Sequence, residues 1–305
     1  FISASAPVTS IEKDANNFYV TGNFSAASGI QTGANAIVST TSDLPDFNFP
    51  KISGFVAESI PDGNGGWYVG GNFIVQGLSN LVHILPDNTI DTSFTPNPSN
   101  TVNALFYDGS TLYVGGIFTQ ISSQTQSHLA ALNGATGALL LWNPNADGVI
   151  NTINKDGNIV YVGGYFENIG GKKIRNLAAL DAVTALSLPF ISASAPVTSI
   201  EKDANNFYVT GNFSGPSGFQ TGASASISTT SDLPDFNFPK ISGQIHKSIP
   251  DGNGGWYIGG DFIVQGLSYL VHVLANNTID TSFTPNPNSS VYALYLDGST
   301  LYVGG

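Results

Sequence analysis

Three groups of residues in this chain are of the types that do chemistry: paired carboxylates, histidines and one basic cluster. Asp43 and Asp46 stand together in SDLPDF, with copies at Asp232 and Asp235. Asp87 and Asp91 form a second pair, which returns as Asn276 and Asp280. Two carboxylates can serve as acid and base on a glycoside when their environments split their pKa values. Asp beside Pro, Gly or Asn is also ordinary turn chemistry, and that reading is preferred for both pairs. His83, His128, His246 and His272 are scattered, with neither a His-x-x-x-His motif nor a carboxylate at ligand spacing. His83 and His272 fall in the apolar runs LVHIL and LVHVL, so they are expected as hydrogen-bonded strand residues. The loop PDGNGG (61–66) alternates only Asp62 and Asn64, fewer oxygens than a calcium loop uses, and reads as a glycine-rich hairpin turn. It also lacks the Lys-Ser/Thr of a phosphate-cradling loop. Lys172, Lys173 and Arg175 read as a solvated loop. No catalytic residue, metal site or cofactor is expected, with calcium as the alternative.

The elements that would carry these residues are set by repetition. Residues 1–116 reappear as 190–305 with about 81% identity, and 1–25 returns unchanged at 190–214. Inside that long period lies a shorter one of about 47 residues. It is marked by FYVTG (18–22), WYVGG (67–71), LYVGG (112–116), VYVGG (160–164), FYVTG (207–211), WYIGG (256–260) and LYVGG (301–305). Within one unit, VNALFYD (102–108), the turn Asp108-Gly109 and LYVGGIF (112–118) read as a hairpin, since Gly accepts positive φ. HLAALN (128–133), a Gly-Ala-Thr-Gly turn and ALLLW (138–142) add two more strands. The paired glycines after Tyr-Val carry no side chain and let a neighbouring backbone approach closely. No 3.6-residue periodicity appears. Four-stranded antiparallel sheets repeating every 40–50 residues predict an all-β chain, a single β-propeller over 1–305. The count predicts seven blades, or eight if the chain is a fragment, with the opening FISAS pairing into the seventh sheet. Every Tyr-Val/Ile phrase is then the second strand of its sheet. Trp67 and Trp256 lie in such strands and are expected to pack between blades rather than bind sugar rings.

LYVGG-x-F, then LAAL, TG and WNPNADG closely resembles the bacterial β-propeller repeats called delta-sixty repeats. The likeness is sharpest at 129–148 and 170–184, while 31–49 and 81–94 depart from it. It implies a propeller in a large extracellular protein, and it brings no catalytic residues. LAALNGATGALLLW (129–142) also resembles the blade motif of quinone-dependent alcohol dehydrogenases. Only one unit has the Trp and the chain has a single Arg, so Trp142 is read as a blade-docking residue.

Composition narrows the function. Charged residues are 10%, and 9 Lys+Arg against 21 Asp+Glu give a net charge of −12. That acidity argues against nucleic acid and anionic membranes as partners. Without Cys there is no disulfide, thiolate or Cys-based zinc chemistry. Without Met, Phe1 reads as a processed or truncated end. No run of about 18 apolar residues predicts a membrane span. Low charge, no Cys and abundant Gly suit a secreted or cell-surface location. The densest difference between the copies turns Phe55-Val56-Ala57-Glu58 into Gln244-Ile245-His246-Lys247. The expected function is a non-enzymatic extracellular module for binding or adhesion, with a glycan or protein ligand, or part of a larger repeat assembly. Its candidate ligand-binding residues are Glu58, Asn64, Lys247 and Asn253. A glycan hydrolase and a purely structural spacer are the rival readings.

Overall fold

In a computed structural model of the chain, residues 3–14, 17–40, 45–46, 48–213, 222–229 and 233–305 are described. The described residues contain strands and turns and no helix. The chain divides into two compact units, Phe1–Asn145 and Ala146–Val303, the last two residues aside.

The first unit holds three meandering sheets. These are Val8–Lys13, Asn17–Gly22 and Asn35–Ser39; then Gly54–Pro61, Trp67–Val75 and Leu78–Ile84; then Val102–Tyr107, Thr111–Gly116 and Leu129–Asn133. The second unit holds Val149–Asp156, Ile159–Tyr165 and Leu177–Asp181; Val197–Lys202, Asn206–Gly211 and Ser224–Ser228; and Gly243–Pro250, Trp256–Val264 and Leu267–Val273. A two-stranded sheet, Ala293–Asp297 with Thr300–Gly304, follows. All pairings within the three-stranded sheets are antiparallel. Each Tyr-Val/Ile phrase is the second strand of its sheet, as its spacing predicts. No described helix is long and apolar enough to cross a membrane.

The expected fourth strand is much reduced. Among the described residues, beyond each third strand a single bridge remains: Val38 with Pro45, Ile84 with Ile90, Leu132 with Leu139, Leu180 with Ser187, Ile227 with Pro234 and Val273 with Ile279. Two of these partners are prolines, which have no N–H to extend a ladder. In the others, side-chain-capped turns such as Asp87–Thr89 and Asp181–Thr184 occupy the residues that would lengthen it. The opening residues also differ from expectation. Ala4 bridges Ala27, and Ser5 donates its N–H to the Ala26 carbonyl at 3.0 Å, so this segment edges a small hairpin at 26–31. Phe1 and Ile2 lie outside the described residues.

The glycine pairs do what their lack of side chains allows. A Cβ on Gly70 would lie 2.6 Å from Val102 Cγ1, and one on Gly163 would lie 2.4 Å from Val197 Cγ1. Both valines belong to the first strand of the following sheet. The middle-strand tyrosines form a second repeating contact. Tyr19, Tyr68, Tyr113, Tyr161, Tyr208 and Tyr257 meet Phe49, Phe94, Trp142, Phe190, Phe238 and Phe283, each from the crossing that leaves the same sheet. Trp142, expected to dock blades, packs edge-on against Tyr113 of its own sheet at 5.3 Å. Trp67 and Trp256 are the side chains that bridge sheets, stacked at 4.7 and 4.9 Å on Tyr19 and Tyr208 of the preceding sheet. At 1% and 2% exposure they present no face to a sugar.

Candidate functional site

Folding gathers one cluster that spacing does not announce. His83 Nε2 lies 3.1 Å from Asp62 Oδ2, and Nδ1 lies 3.2 Å from Asp91 Oδ2. The second copy repeats this arrangement with His272 between Asp251 and Asp280, both at 3.1 Å. The histidines therefore do have carboxylate partners, contrary to the reading from spacing, while their place as hydrogen-bonded strand residues holds. Asp62 comes from the hairpin turn before the second strand, His83 from the third strand, and Asp91 from the turn after it. The offsets, 21 residues back and 8 forward, are the same in both copies and are the signal that could have revealed the cluster.

This constellation is closed to substrate. Tyr68 stacks on the His83 ring at 4.8 Å, Phe94 covers it at 5.7 Å, and His83 is 8% exposed. Each carboxylate also shapes a turn. Asp62 Oδ1 accepts the N–H groups of Asn64 and Gly66, and Asp91 Oδ1 accepts the N–H and hydroxyl of Ser93. Burial raises the Asp91 pKa, but hydrogen bonds from Ser93 and His83 outweigh it and hold the carboxyl below its ordinary value. Asp280 is held at about 2 by the Ser282 hydroxyl and His272. The arrangement is a polar clasp that ties two turns to a strand.

The other candidate carboxylates among the described residues are turn residues. Asp46 accepts the N–H of Asn48 and the side-chain amide of Asn88, and Asp235 repeats both bonds with Asn237 and Asn277. Asp43 and Asp232 lie outside the described residues. Asp87 and Asn276 cap Thr89 and Thr278. Among the described residues no group of three or more His, Asp or Glu is arranged to hold a metal ion.

Of the proposed ligand-binding residues, the structure places two between sheets and two at exposed tips. Glu58 accepts the N–H of Leu105 at 2.6 Å, and Lys247 donates to Glu201 Oε1 at 2.7 Å. Thr9 to the Val56 carbonyl, Asn151 to the Val197 carbonyl and Thr198 to the Ile245 carbonyl are further such contacts. First-strand polar side chains thus stitch neighbouring sheets together within each unit. Asn64 and Asn253 sit at the tips of the PDGNGG hairpins, their N–H groups held by Asp62 and Asp251 at 2.7 Å. The four residues do not form one site.

Open space lies elsewhere, where the loop after the glycine pair faces the start of the next sheet. In the second unit a cleft of about 370 Å³ is lined by Asp147, Tyr165, Glu167, Arg175, Asn176 and Ser194, among others. The next sheet carries a cleft of about 400 Å³ at the same place in the repeat, with Asn212 in the position of Tyr165 and Gly222 in that of Arg175. Asp147, from WNPNADG, accepts the N–H groups of Glu167 and Asn168, both at 2.9 Å. Ser5 and Ser99 do the same at the matching positions of two earlier sheets. Burial raises the Asp147 pKa, but the Asn168 side chain and these backbone donors outweigh it and keep the carboxyl low. Gly148 is required beside it, because a Cβ there would lie 2.1 Å from the Tyr165 carbonyl oxygen. Arg175, the one member of the basic cluster at this cleft, lies 3.5 Å from Glu167. Sequence reasoning missed Tyr165, although its signal was available. Asn23, Asn72, Ile117, Tyr165, Asn212 and Asp261 follow the successive glycine or Thr-Gly pairs, and only one is aromatic.

Six consecutive three-stranded antiparallel sheets with central Tyr-Val/Ile strands, followed by a two-stranded sheet, are the pattern of a β-propeller type of chain, and comparison with solved structures supports that class. The chain is similar to the WD40 beta propeller domain of Doa1, with a TM-score of 0.67 and 11% identity over 99% of this chain and 90% of that one. It is also similar to the computationally designed Ika8 protein, with a TM-score of 0.63 and 11% identity over 98% of this chain and 93% of that one. At such identity the likeness speaks for the fold alone. No protein-family model matches the chain, and no curated protein does.

Proposed function

We propose that this chain is a non-enzymatic, extracellular binding or adhesion module, a seven-bladed propeller of the delta-sixty type or a segment of a larger surface assembly of such repeats. Its ligand is a glycan or a protein held on the loop face. The observation that supports this reading is the recurrence of a cleft at the same place in two successive sheets, with different side chains in each. A scaffold that keeps its backbone and varies its cleft is suited to recognition. Acid–base catalysis would need a carboxylate pair open to substrate. The described carboxylates of the candidate pairs instead cap turns, and the Asp62–His83–Asp91 clasp lies under Tyr68 and Phe94.

The test is an array of glycans and proteins probed with the chain, with and without calcium, followed by product analysis of any glycan bound. Saturable binding without cleavage, unchanged by calcium, is the expected result. Cleavage that disappears in Asp46→Asn/Asp235→Asn while the fold persists would overturn the reading in favour of a hydrolase. Absence of saturable binding to every class on the array would favour a spacer.

A further inference from the structure

We propose that the cleft at Tyr165 is a binding site for the pyranose ring of a neutral glycan, an inference that rests on the binding-module reading and names its ligand class. Tyr165 is the first support. It is 67% exposed and lines the cleft, although it follows a buried Gly-Gly pair where the other sheets carry Asn, Asp or Ile. An aromatic ring so placed buries little on folding. Its flat apolar face matches the C–H face of a sugar ring, which covers the aromatic while the hydroxyls stay outward.

The second support is the polar pair beside it. Arg175 and Glu167, 56% and 62% exposed, lie 3.5 Å apart in the same cleft. A guanidinium offers only donors and a carboxylate only acceptors. Two neighbouring hydroxyls of one sugar can therefore accept from Arg175 and donate to Glu167 together.

The third support is rigidity. Asp147 pins the backbone that carries Glu167. The Arg175 carbonyl accepts the N–H of Ala193 at 3.1 Å, and the Asn176 side chain donates to the Ala193 carbonyl at 3.1 Å. The hairpin between Glu167 and Arg175 is fixed in turn, since Ser187 Oγ donates to the Ile169 carbonyl at 2.6 Å and Lys172 Nζ to the Ser187 carbonyl at 3.0 Å. Groups held in place before binding lose little entropy on binding.

Charge selects within the glycans. Asp147 and Glu167 outweigh Arg175 in the cleft, and the whole chain carries −12, so sulfated or uronic-acid-rich chains are repelled. The neighbouring cleft is the internal control. Among the described residues it has Asn212 and Gly222 at the positions of Tyr165 and Arg175, in place of the platform and the guanidinium.

The experiment is calorimetric titration of the chain with cello-, chito-, manno- and galacto-oligosaccharides, with heparin as the anionic arm. At least one neutral oligosaccharide is expected to bind, and heparin is not. Tyr165→Ala and Arg175→Gln should each weaken that binding at least tenfold, while Asn212→Ala changes it less than twofold. Tyr165 is exposed, so Tyr165→Ala should melt with the parent chain, which separates lost binding from lost fold. Equal binding by Tyr165→Ala, or binding of heparin alone, would overturn the proposal. Binding that survives Tyr165→Ala but falls with Lys240→Ala, in the neighbouring cleft, would overturn this site while leaving the binding-module reading in place. Saturable binding to a protein on the array, with none to the neutral oligosaccharides, would do the same.

Discussion

Replacing His83 with Phe tests whether the Asp–His–Asp cluster is a clasp. Phe nearly preserves the ring and its stacking on Tyr68, so little cavity forms and the change isolates the loss of two polar contacts. Those contacts run from Nε2 to Asp62 at 3.1 Å and from Nδ1 to Asp91 at 3.2 Å, among side chains exposed by 14% or less. A hydrogen bond to a charged group is worth about 1.5–3 kcal/mol, and His83→Phe removes two of them. The variant should therefore be destabilised by about 3–5 kcal/mol at pH 7. The dependence on pH follows from Asp91. Its folded pKa lies below its unfolded value, so the stabilisation it contributes is present above about pH 4 and is lost as pH falls through the folded value. The parent loses that contribution on acidification, whereas the variant keeps the part supplied by the Ser93 bonds and lacks only the part supplied by His83. The gap between them should narrow as pH falls toward the folded pKa of Asp91, by the share that His83 contributes. Urea unfolding followed by circular dichroism at pH 7, 5 and 3 measures both quantities. A loss below about 1 kcal/mol at pH 7, the scale of an exposed pair, would refute the clasp. So would a gap that stays constant with pH.

His272→Phe should act in the same direction but less strongly, because the second cluster is slightly more exposed; urea midpoints of the two variants compare them directly. Asp280→Asn should flatten the acid limb of stability between about pH 4 and 2, since its carboxyl, held at about 2, contributes above that window and loses the contribution within it. Gly163→Ala would set a Cβ 2.4 Å from Val197 Cγ1 and should cost about 1–3 kcal/mol, read from the same unfolding curves. Gly164→Ala should cost more, because its Cβ would lie 2.1 Å from the Val149 carbonyl oxygen, a backbone atom that cannot rotate away. Asn176→Ala removes a bond to the Ala193 carbonyl from a residue at φ +63° and should cost about 1–2 kcal/mol, with Asn176→Gly recovering the part due to backbone strain.

The sequence by itself determined the repeating unit. Short apolar runs, Asp-Gly turns and the Tyr-Val/Ile phrases specify the strands locally, because each depends on residues only a few positions apart. The need for bare glycine was also legible, although the neighbours that require it, Val102 and Val197, were not. The fourth strand was overread. ALLLW has the composition of a strand, yet after the Leu139 bridge the chain leaves for the crossing, where Trp142 is drawn onto Tyr113. Only the tertiary structure decided which polar residues meet. Asp62, His83 and Asp91 come from three separate segments, and turn formation alone explains each Asp, so nothing local marks them as partners of one imidazole. Glu58 and Lys247 looked like divergent surface residues, but their contacts with Leu105 and Glu201 lie 47 and 46 residues away along the chain. The cleft at Tyr165 depends on the same kind of convergence. Asp147, Glu167 and Arg175 are separated by a strand and a hairpin, and they face one space only because the loop after the glycine pair folds back over the start of the next sheet.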